Sequence, residues 1–216
     1  MMSFELAKTC KIEFLKDELG QELLLRDNKA QVMMEWEKPY MEACINMLQP
    51  KGNVLEIGFG CGYSARQIQK YNPKSHTIIE CHPDVINYGK FNLGFHKTLG
   101  KYDNIEWVEN TWQETLHTLG EYDEIFFDDY PLDEIMSSNQ RLYLFIDFCL
   151  DWHMKSGSKL SAYINSPIIR ETESWKQNIV NNPKIKYTEK IIDIKVSKNC
   201  DYYKNSKALI PIIEKR

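Results

Sequence analysis

The sequence predicts an α/β fold, Rossmann-like, with a mostly parallel seven-stranded sheet. A C-terminal antiparallel hairpin closes that sheet, and an N-terminal helical and hairpin extension precedes it. Three observations carry this expectation. Short apolar strands alternate with helix-length stretches from residue 53 to about residue 180. The first of these strands runs into three alternating glycines, Gly58, Gly60 and Gly62. The last 30 or so residues hold two longer strand-like runs with only a loop between them.

In chain order, residues 11–16 and 22–26 are apolar–polar stretches around Glu18-Leu19-Gly20 and predict a hairpin. Residues 30–48 have helical periodicity, with Val32, Met33, Trp36, Tyr40, Ala43, Ile45 and Met47 apolar. Pro39 interrupts that pattern and predicts a kink or a pair of helices. Strands are expected at 53–57, 76–81, 105–109, 124–128 and 159–164, with helices near 63–71, 84–98, 112–118, 137–154 and 168–180. Residues 187–195 and 207–214 form the closing antiparallel pair. No repeat, linker or low-complexity segment divides the chain, so one domain over 1–216 is expected, with residues 1–50 contributing to its site.

Composition narrows the class. The 216 residues are 43% hydrophobic and 27% charged with a formal net charge of −4, which gives no basic footprint for nucleic acid. The six cysteines are scattered without a paired spacing, as expected of reduced thiols in a cytoplasmic compartment. The five histidines show no metal-ligand spacing, so no metal is expected. Neither a signal peptide nor an apolar run of roughly 18 residues is evident, so no membrane association is expected. Nothing in the composition bears on oligomeric state.

In an open α/β sheet, ligands bind beyond the carboxyl ends of the strands. The glycine loop after 53–57 offers bare backbone N–H groups at the start of a helix. Glu80 closes the apolar run Thr77-Ile78-Ile79, placed to accept the hydroxyl protons of a ribose. The spacing is E-x-G-x-G-x-G, with Tyr63 where a dinucleotide fingerprint would go on, and it resembles the S-adenosylmethionine loop of class I methyltransferases. Asp128 and Asp129 leave a hydrophobic strand together, an electronegative pair whose mutual repulsion raises one proton affinity. Asn165-Ser166-Pro167 can offer free backbone amides to a carboxylate, or can simply turn the chain.

The segment Val32-Met33-Met34-Glu35-Trp36-Glu37-Lys38-Pro39-Tyr40-Met41 resembles the V-M-x-x-W-E-x-P-Y-M block of the guanidinoacetate N-methyltransferases and of the related arginine δ-N-methyltransferases. Val54 to Gly60, Ile78 to Cys81, Asp128-x-Tyr130-Pro131-Leu132, Cys200-Asp201-Tyr202-Tyr203 and Ile210-Pro211 resemble further blocks in the same order. The chain departs from the family at Asp129, where Thr is usual, and at Gly62, a third loop glycine. No counterpart of the family's aromatic lid residue can be placed in the first 30 positions.

The resemblance implies a class I methyltransferase using S-adenosylmethionine. It implies that Met33, Met41, Gly58, Phe59, Gly60, Cys61, Gly62, Tyr63, Ser64, Glu80, Cys81, His82, Trp112 and Gln113 line the methyl-donor pocket. It also implies that Glu37 and Asp128 grip a guanidino group, with Tyr130, and that Asn165 and Ser166 give main-chain donors to a substrate carboxylate. The expected activity is N-methylation of a small, guanidinoacetate-like molecule. Arginine, free or in a protein, is the alternative acceptor, and a non-catalytic cofactor-binding partner protein is the alternative role. Two carboxylates suit a guanidinium because its planar N–H edges match carboxylates two at a time.

Overall fold

The computed structural model describes residues 8–98, 101–130 and 137–216. Pro131 and Leu132, quoted above in one of the family blocks, lie outside the described residues.

The chain begins with an antiparallel three-stranded sheet, β1 (Ile12–Lys16), β2 (Glu22–Arg26) and β3 (Ala30–Met34). Asp17 closes the first turn, its Oδ1 accepting the amides of Leu19 and Gln21 at 2.8 and 2.9 Å. The second turn carries Asp27 and Asn28 at positive φ (53° and 59°), with the Lys29 amide donating to the Arg26 carbonyl at 3.1 Å, and three residues separate the paired ends Arg26 and Ala30. That turn overrides the helical reading of residues 30–34. Asx side chains tolerate left-handed φ, so β3 folds back on β2 before any helix starts. A 3₁₀ turn over Glu35–Glu37 then leads into α1 (Lys38–Leu48). Pro39 lies in the first turn of α1, where a missing N–H costs no hydrogen bond, so it opens the helix rather than kinking it.

The main sheet has seven strands: β4 (Asn53–Ile57), β5 (Ser75–Ile79), β6 (Ile105–Val108), β7 (Tyr122–Phe127), β8 (Met154–Ala162), β9 (Ile185–Asp193) and β10 (Lys207–Lys215). Their order is β6-β5-β4-β7-β8-β10-β9. The first five are parallel, and β10 runs antiparallel to both β8 and β9. The strand order reverses between β4 and β7, which places a crevice at their carboxyl ends.

Alternation along the strands sorts side chains onto two helical layers. Leu55, Ile57, Ile125 and Phe127 pack with Leu142, Phe145, Ile146 and Cys149 of α5 (Ser138–Trp152). Val54 and Phe126 face the other way, against Tyr40, Met41, Cys44 and Ile45 of α1 and Ile68 of α2 (Tyr63–Gln69). Glu56, between them in β4, is fully buried and hydrogen-bonds His76 Nε2 at 2.8 Å; His76 Nδ1 meets Gln69 Nε2 at 3.1 Å.

Three expected helices are shorter than their periodicity suggested. Residues 84–98 form α3 (Pro83–Asn87) and a π turn over Tyr88–Asn92. Phe95 then leaves the helical path to pack against Phe59 and Tyr102, with Trp107 Nε1 donating to its carbonyl at 2.7 Å. Residues 112–118 split into α4 (Trp112–Thr115) and a 3₁₀ turn. Residues 168–180 break at Thr172, which adopts an extended backbone and caps α6 (Glu173–Trp175) with its hydroxyl.

Candidate active site

The glycine loop after β4 takes its shape from close approaches that a side chain would block. A Cβ on Gly58 (φ +80°) would sit 2.2 Å from the Asp128 carbonyl oxygen, and one on Gly60 (φ +52°) 2.8 Å from Met33 Sδ. Met33 reaches the loop from β3, its sulfur accepting the Cys61 amide at 3.3 Å. Glu80, just past β5, braces the loop from the other side. Its Oε2 accepts the Phe59 amide at 3.0 Å, and its Oε1 accepts those of Cys81 and His82 at 2.8 and 2.9 Å.

This loop borders a cavity of about 470 Å³. On the loop side its wall includes Met33, Gly58, Gly60, Glu80, Cys81 and His82, with Trp112 and Gln113 at the start of α4. Asn110 and Thr111, which sequence reasoning passed over, precede them in the same wall. Glu37, Asp128, Tyr130 and Asn165 line the same cavity.

Other expected residues lie outside the wall. Met41 is fully buried on α1, packed in the core under β4 and β10. The Phe59 ring packs on Phe95 and Trp107 instead of turning outward. Tyr63 is buried with its hydroxyl on Glu22 Oε2 at 2.7 Å. Cys61, Gly62 and Ser64 line no part of the cavity either, and Cys61 and Ser64 are buried. Ser166 precedes the 3₁₀ turn at Pro167, and only its neighbour Asn165 reaches the wall. A helix start turns successive side chains through 100°, so a contiguous motif cannot face one cavity along its whole length.

Glu37 sits in the 3₁₀ turn before α1, 2% exposed. Its Oε1 accepts the Met34 amide at 3.0 Å and the Tyr202 hydroxyl. Burial outweighs these two neutral donors and pushes its pKa up to about 7. Asp128 leaves β7 with its amide on the Ile57 carbonyl at 3.0 Å. Burial first, and then the charge of Glu37, push its carboxyl well above the usual range. Neither acid has an ion-pair partner among the described residues, although both line the cavity.

Asp129 and Arg141 line the same cavity and are tied to each other. The Asp129 Oδ2 accepts Arg141 Nε at 2.9 Å and Trp112 Nε1 at 3.2 Å, so it ties α5 to the Trp112 ring. Arg141 went unnoticed in the sequence; the available signal was a lone cation on the apolar face of α5. Tyr202 and Tyr163 also line the cavity, and so does Arg26 of β2, whose guanidinium lies 5.3 Å from the Tyr130 ring centroid. Tyr202 lay inside a block already quoted for its resemblance, but nothing in its spacing indicated contact with Glu37.

The residues suit the methyl donor. Trp112 offers an aromatic ring to a base, Glu80 keeps about one lone-pair site on Oε2 for a ribose hydroxyl, and the glycine loop lets backbone approach closely. Among the described residues, no group of His, Cys, Asp and Glu could hold a metal ion, and no helix is long and apolar enough to cross a membrane.

Comparison with known proteins bears on the same site. Among curated proteins, the chain is 37% identical over 129 residues to protein arginine N-methyltransferase 2 of Saccharomyces cerevisiae, covering 56% of this chain and 30% of that protein. It is 36% identical over 128 residues to the Candida glabrata protein of the same name, covering 57% and 29%. The match thus spans less than a third of the length of these relatives. Among solved structures, spermidine synthase from Thermotoga maritima superposes with a TM-score of 0.65 at 19% identity, over 96% of this chain and 70% of that one. The O-methyltransferase from Bacillus cereus, solved with S-adenosylhomocysteine (SAH), gives 0.55 at 13% identity over 83% and 80%. At these identities the likeness is one of fold. A family model described as guanidinoacetate N-methyltransferase matches residues 21–216, from β2 through the last strand. The chain belongs to the guanidinoacetate N-methyltransferase family of S-adenosylmethionine-dependent methyltransferases.

Proposed function

We propose that this chain methylates a guanidino nitrogen of a small acceptor resembling guanidinoacetate, acting as one domain over 1–216 in a reducing, cytoplasm-type compartment. The observation that carries this reading is the pair Glu37 and Asp128, two acids without an ion-pair partner among the described residues, on the wall of a cavity that adjoins the glycine loop.

When bound, S-adenosylmethionine supplies an electrophilic sulfonium methyl; the remaining work falls to the chain's own residues. Glu37 holds the far edge of the guanidinium. Asp128 turns the reacting nitrogen toward the donor side of the cavity and takes its proton as the new bond forms. A free guanidinium, with a pKa of about 12 or more, has no lone pair to offer, so proton removal must accompany attack. Alignment of two bound reactants is worth up to roughly 7–11 kcal/mol, and proton acceptance about 10²–10⁴-fold. Positioning is the larger contribution.

Arg26 supports a small acceptor bearing a carboxylate. It shares one face of β2 with Leu24, lines the cavity, and among the described residues has a single ion pair, a long 3.8 Å contact to Asp27. The N-terminal sheet that carries it is pinned across to the 199–201 loop, with Gln31 donating to the Asn199 carbonyl and accepting the Asp201 amide. A wall made of three strands suits a short acceptor better than an extended peptide.

The names of the curated relatives favour arginine as the alternative acceptor. Incubation with labelled S-adenosylmethionine and guanidinoacetate, free arginine or an arginine-containing protein separates the two readings. Label on guanidinoacetate in preference to the protein is expected; label on protein arginine alone overturns the small-molecule reading. Cofactor binding by calorimetry without turnover on any guanidino compound would leave the non-catalytic partner role.

A further inference from the structure

Nine buried side-chain polar atoms among the described residues have no hydrogen-bond partner, and only one belongs to a residue of the cavity wall: the hydroxyl of Tyr163. A buried phenol normally finds a partner, because water has been removed and nothing else offsets the lost hydration. Its position is firmly set. Tyr163 follows β8, and its amide donates to the Phe127 carbonyl at 2.9 Å, beside the strand end from which Asp128 projects. Its ring lies between those of Tyr40 at 5.5 Å and Tyr203 at 6.3 Å. Tyr40 is itself locked, donating to the Leu209 carbonyl at 2.5 Å and accepting the Ile164 amide at 3.0 Å.

Beyond burial, the charges acting most strongly on this hydroxyl are those of Glu37 and Asp128, and both keep it protonated. A neutral donor that lines one cavity with two carboxyls, yet is bonded to neither, belongs to an arrangement that a ligand completes. Two carboxylates meet a guanidinium along its edges, which leaves an N–H over for a neutral acceptor. A phenol oxygen can accept that N–H while its proton goes to an ionised carboxylate.

We propose that Tyr163 is a third acceptor-contacting residue, its hydroxyl accepting one guanidinium N–H and donating to the Glu37–Asp128 pair. This rests on the guanidino reading above. It adds a specificity element: the site reads the hydrogen-bonding pattern of the guanidinium as well as its charge. An ammonium of the same charge cannot present an N–H in that plane.

The test is Tyr163→Phe, which removes one oxygen and no packing. Because the hydroxyl is unpartnered in the ligand-free protein, melting temperature should be unchanged or slightly higher. Affinity for guanidinoacetate, measured by calorimetry on the SAH complex, should fall at least tenfold, while affinity for SAH stays within twofold. The acid limb of the kcat/KM profile should move to higher pH, since a donor to the carboxylates is lost. Acceptor affinity within twofold of wild type overturns the proposal. So does a melting temperature lowered by several degrees, which would mark a structural hydroxyl. Wild-type protein that binds guanidinoacetate in a Tyr163-dependent way without methylating it sinks the reaction and leaves this contact standing. Turnover indifferent to Tyr163→Phe does the reverse.

Discussion

Glu37 and Glu56 are both buried glutamates, one at the start of α1 and one in mid-β4, and they differ in who supplies the partner. Glu56 meets His76 at 2.8 Å inside the core, and His76 is held in turn by Gln69. The fold gives one oxygen of that carboxyl an imidazole partner, while its Oε1 is buried without a hydrogen bond. Among the described residues Glu37 has a backbone amide and a phenol on one oxygen and no cation, and burial pushes its pKa up to about 7. A carboxyl given an imidazole by its own chain is architecture; one left short of charge beside a cavity is fitted to a visitor.

Substitutions can break that contrast. Glu56→Ala should be the costliest to the fold, about 3 kcal/mol, because it strands His76 in a dry core. Denaturant unfolding would measure it, and added acceptor should not restore the loss beyond ordinary ligand stabilisation. Asp128→Asn should lower kcat/KM at least 100-fold with SAH affinity nearly unchanged. Survival of activity would remove Asp128 as the proton acceptor.

Glu37→Gln sharpens the comparison through pH. The fold raises the Glu37 pKa from 4.5 to about 7 and so favours the protonated form. Its contribution to stability is therefore complete below pH 4.5 and lost as pH rises through 7. The difference amounts to about 3 kcal/mol for the ligand-free protein. Glutamine keeps an oxygen for the Met34 amide and for Tyr202, so Glu37→Gln should raise the melting temperature at pH 8 and change it little at pH 5. Acceptor binding has the opposite slope, because a guanidinium needs the ionised form. Its affinity should increase with pH and level off above about 7 in the wild type, and Glu37→Gln should lose that part of the dependence. A variant less stable than wild type at pH 8 would refute the strain assigned to this carboxyl. The smallest effect expected is on Arg26→Gln: KM for guanidinoacetate up about tenfold, kcat nearly constant, and no change for a guanidine lacking a carboxylate.

Elements with one dominant periodicity were legible from the chain alone. Strand β4 has the boundaries expected, and β9 and β10 pair antiparallel over Ile185–Asp193 and Lys207–Lys215 as their long alternating runs implied. Legibility failed where two periods compete. Val32, Met33 and Met34 fit a helical stripe and a strand equally well, and the left-handed Asp27-Asn28 turn decided for the strand. The site divides in the same manner. Glu80 and Asp128 stand at strand ends, and topology directs strand ends to the crevice. Asp129, one residue on, was ambiguous until Arg141, 12 positions later, drew it toward α5.

Local order, the glycine loop, the acids at the strand ends and membership of a family are properties of neighbouring residues, and the amino-acid sequence determines them unaided. The contact of Tyr202 with Glu37 spans 165 positions, and the orphaned hydroxyl of Tyr163 exists only because three tyrosine rings meet. Such features arise when distant segments exclude water together, and burial is a property that no short stretch of sequence possesses. Tertiary structure alone decided which carboxyl meets an imidazole in the core and which meets only neutral donors beside a cavity.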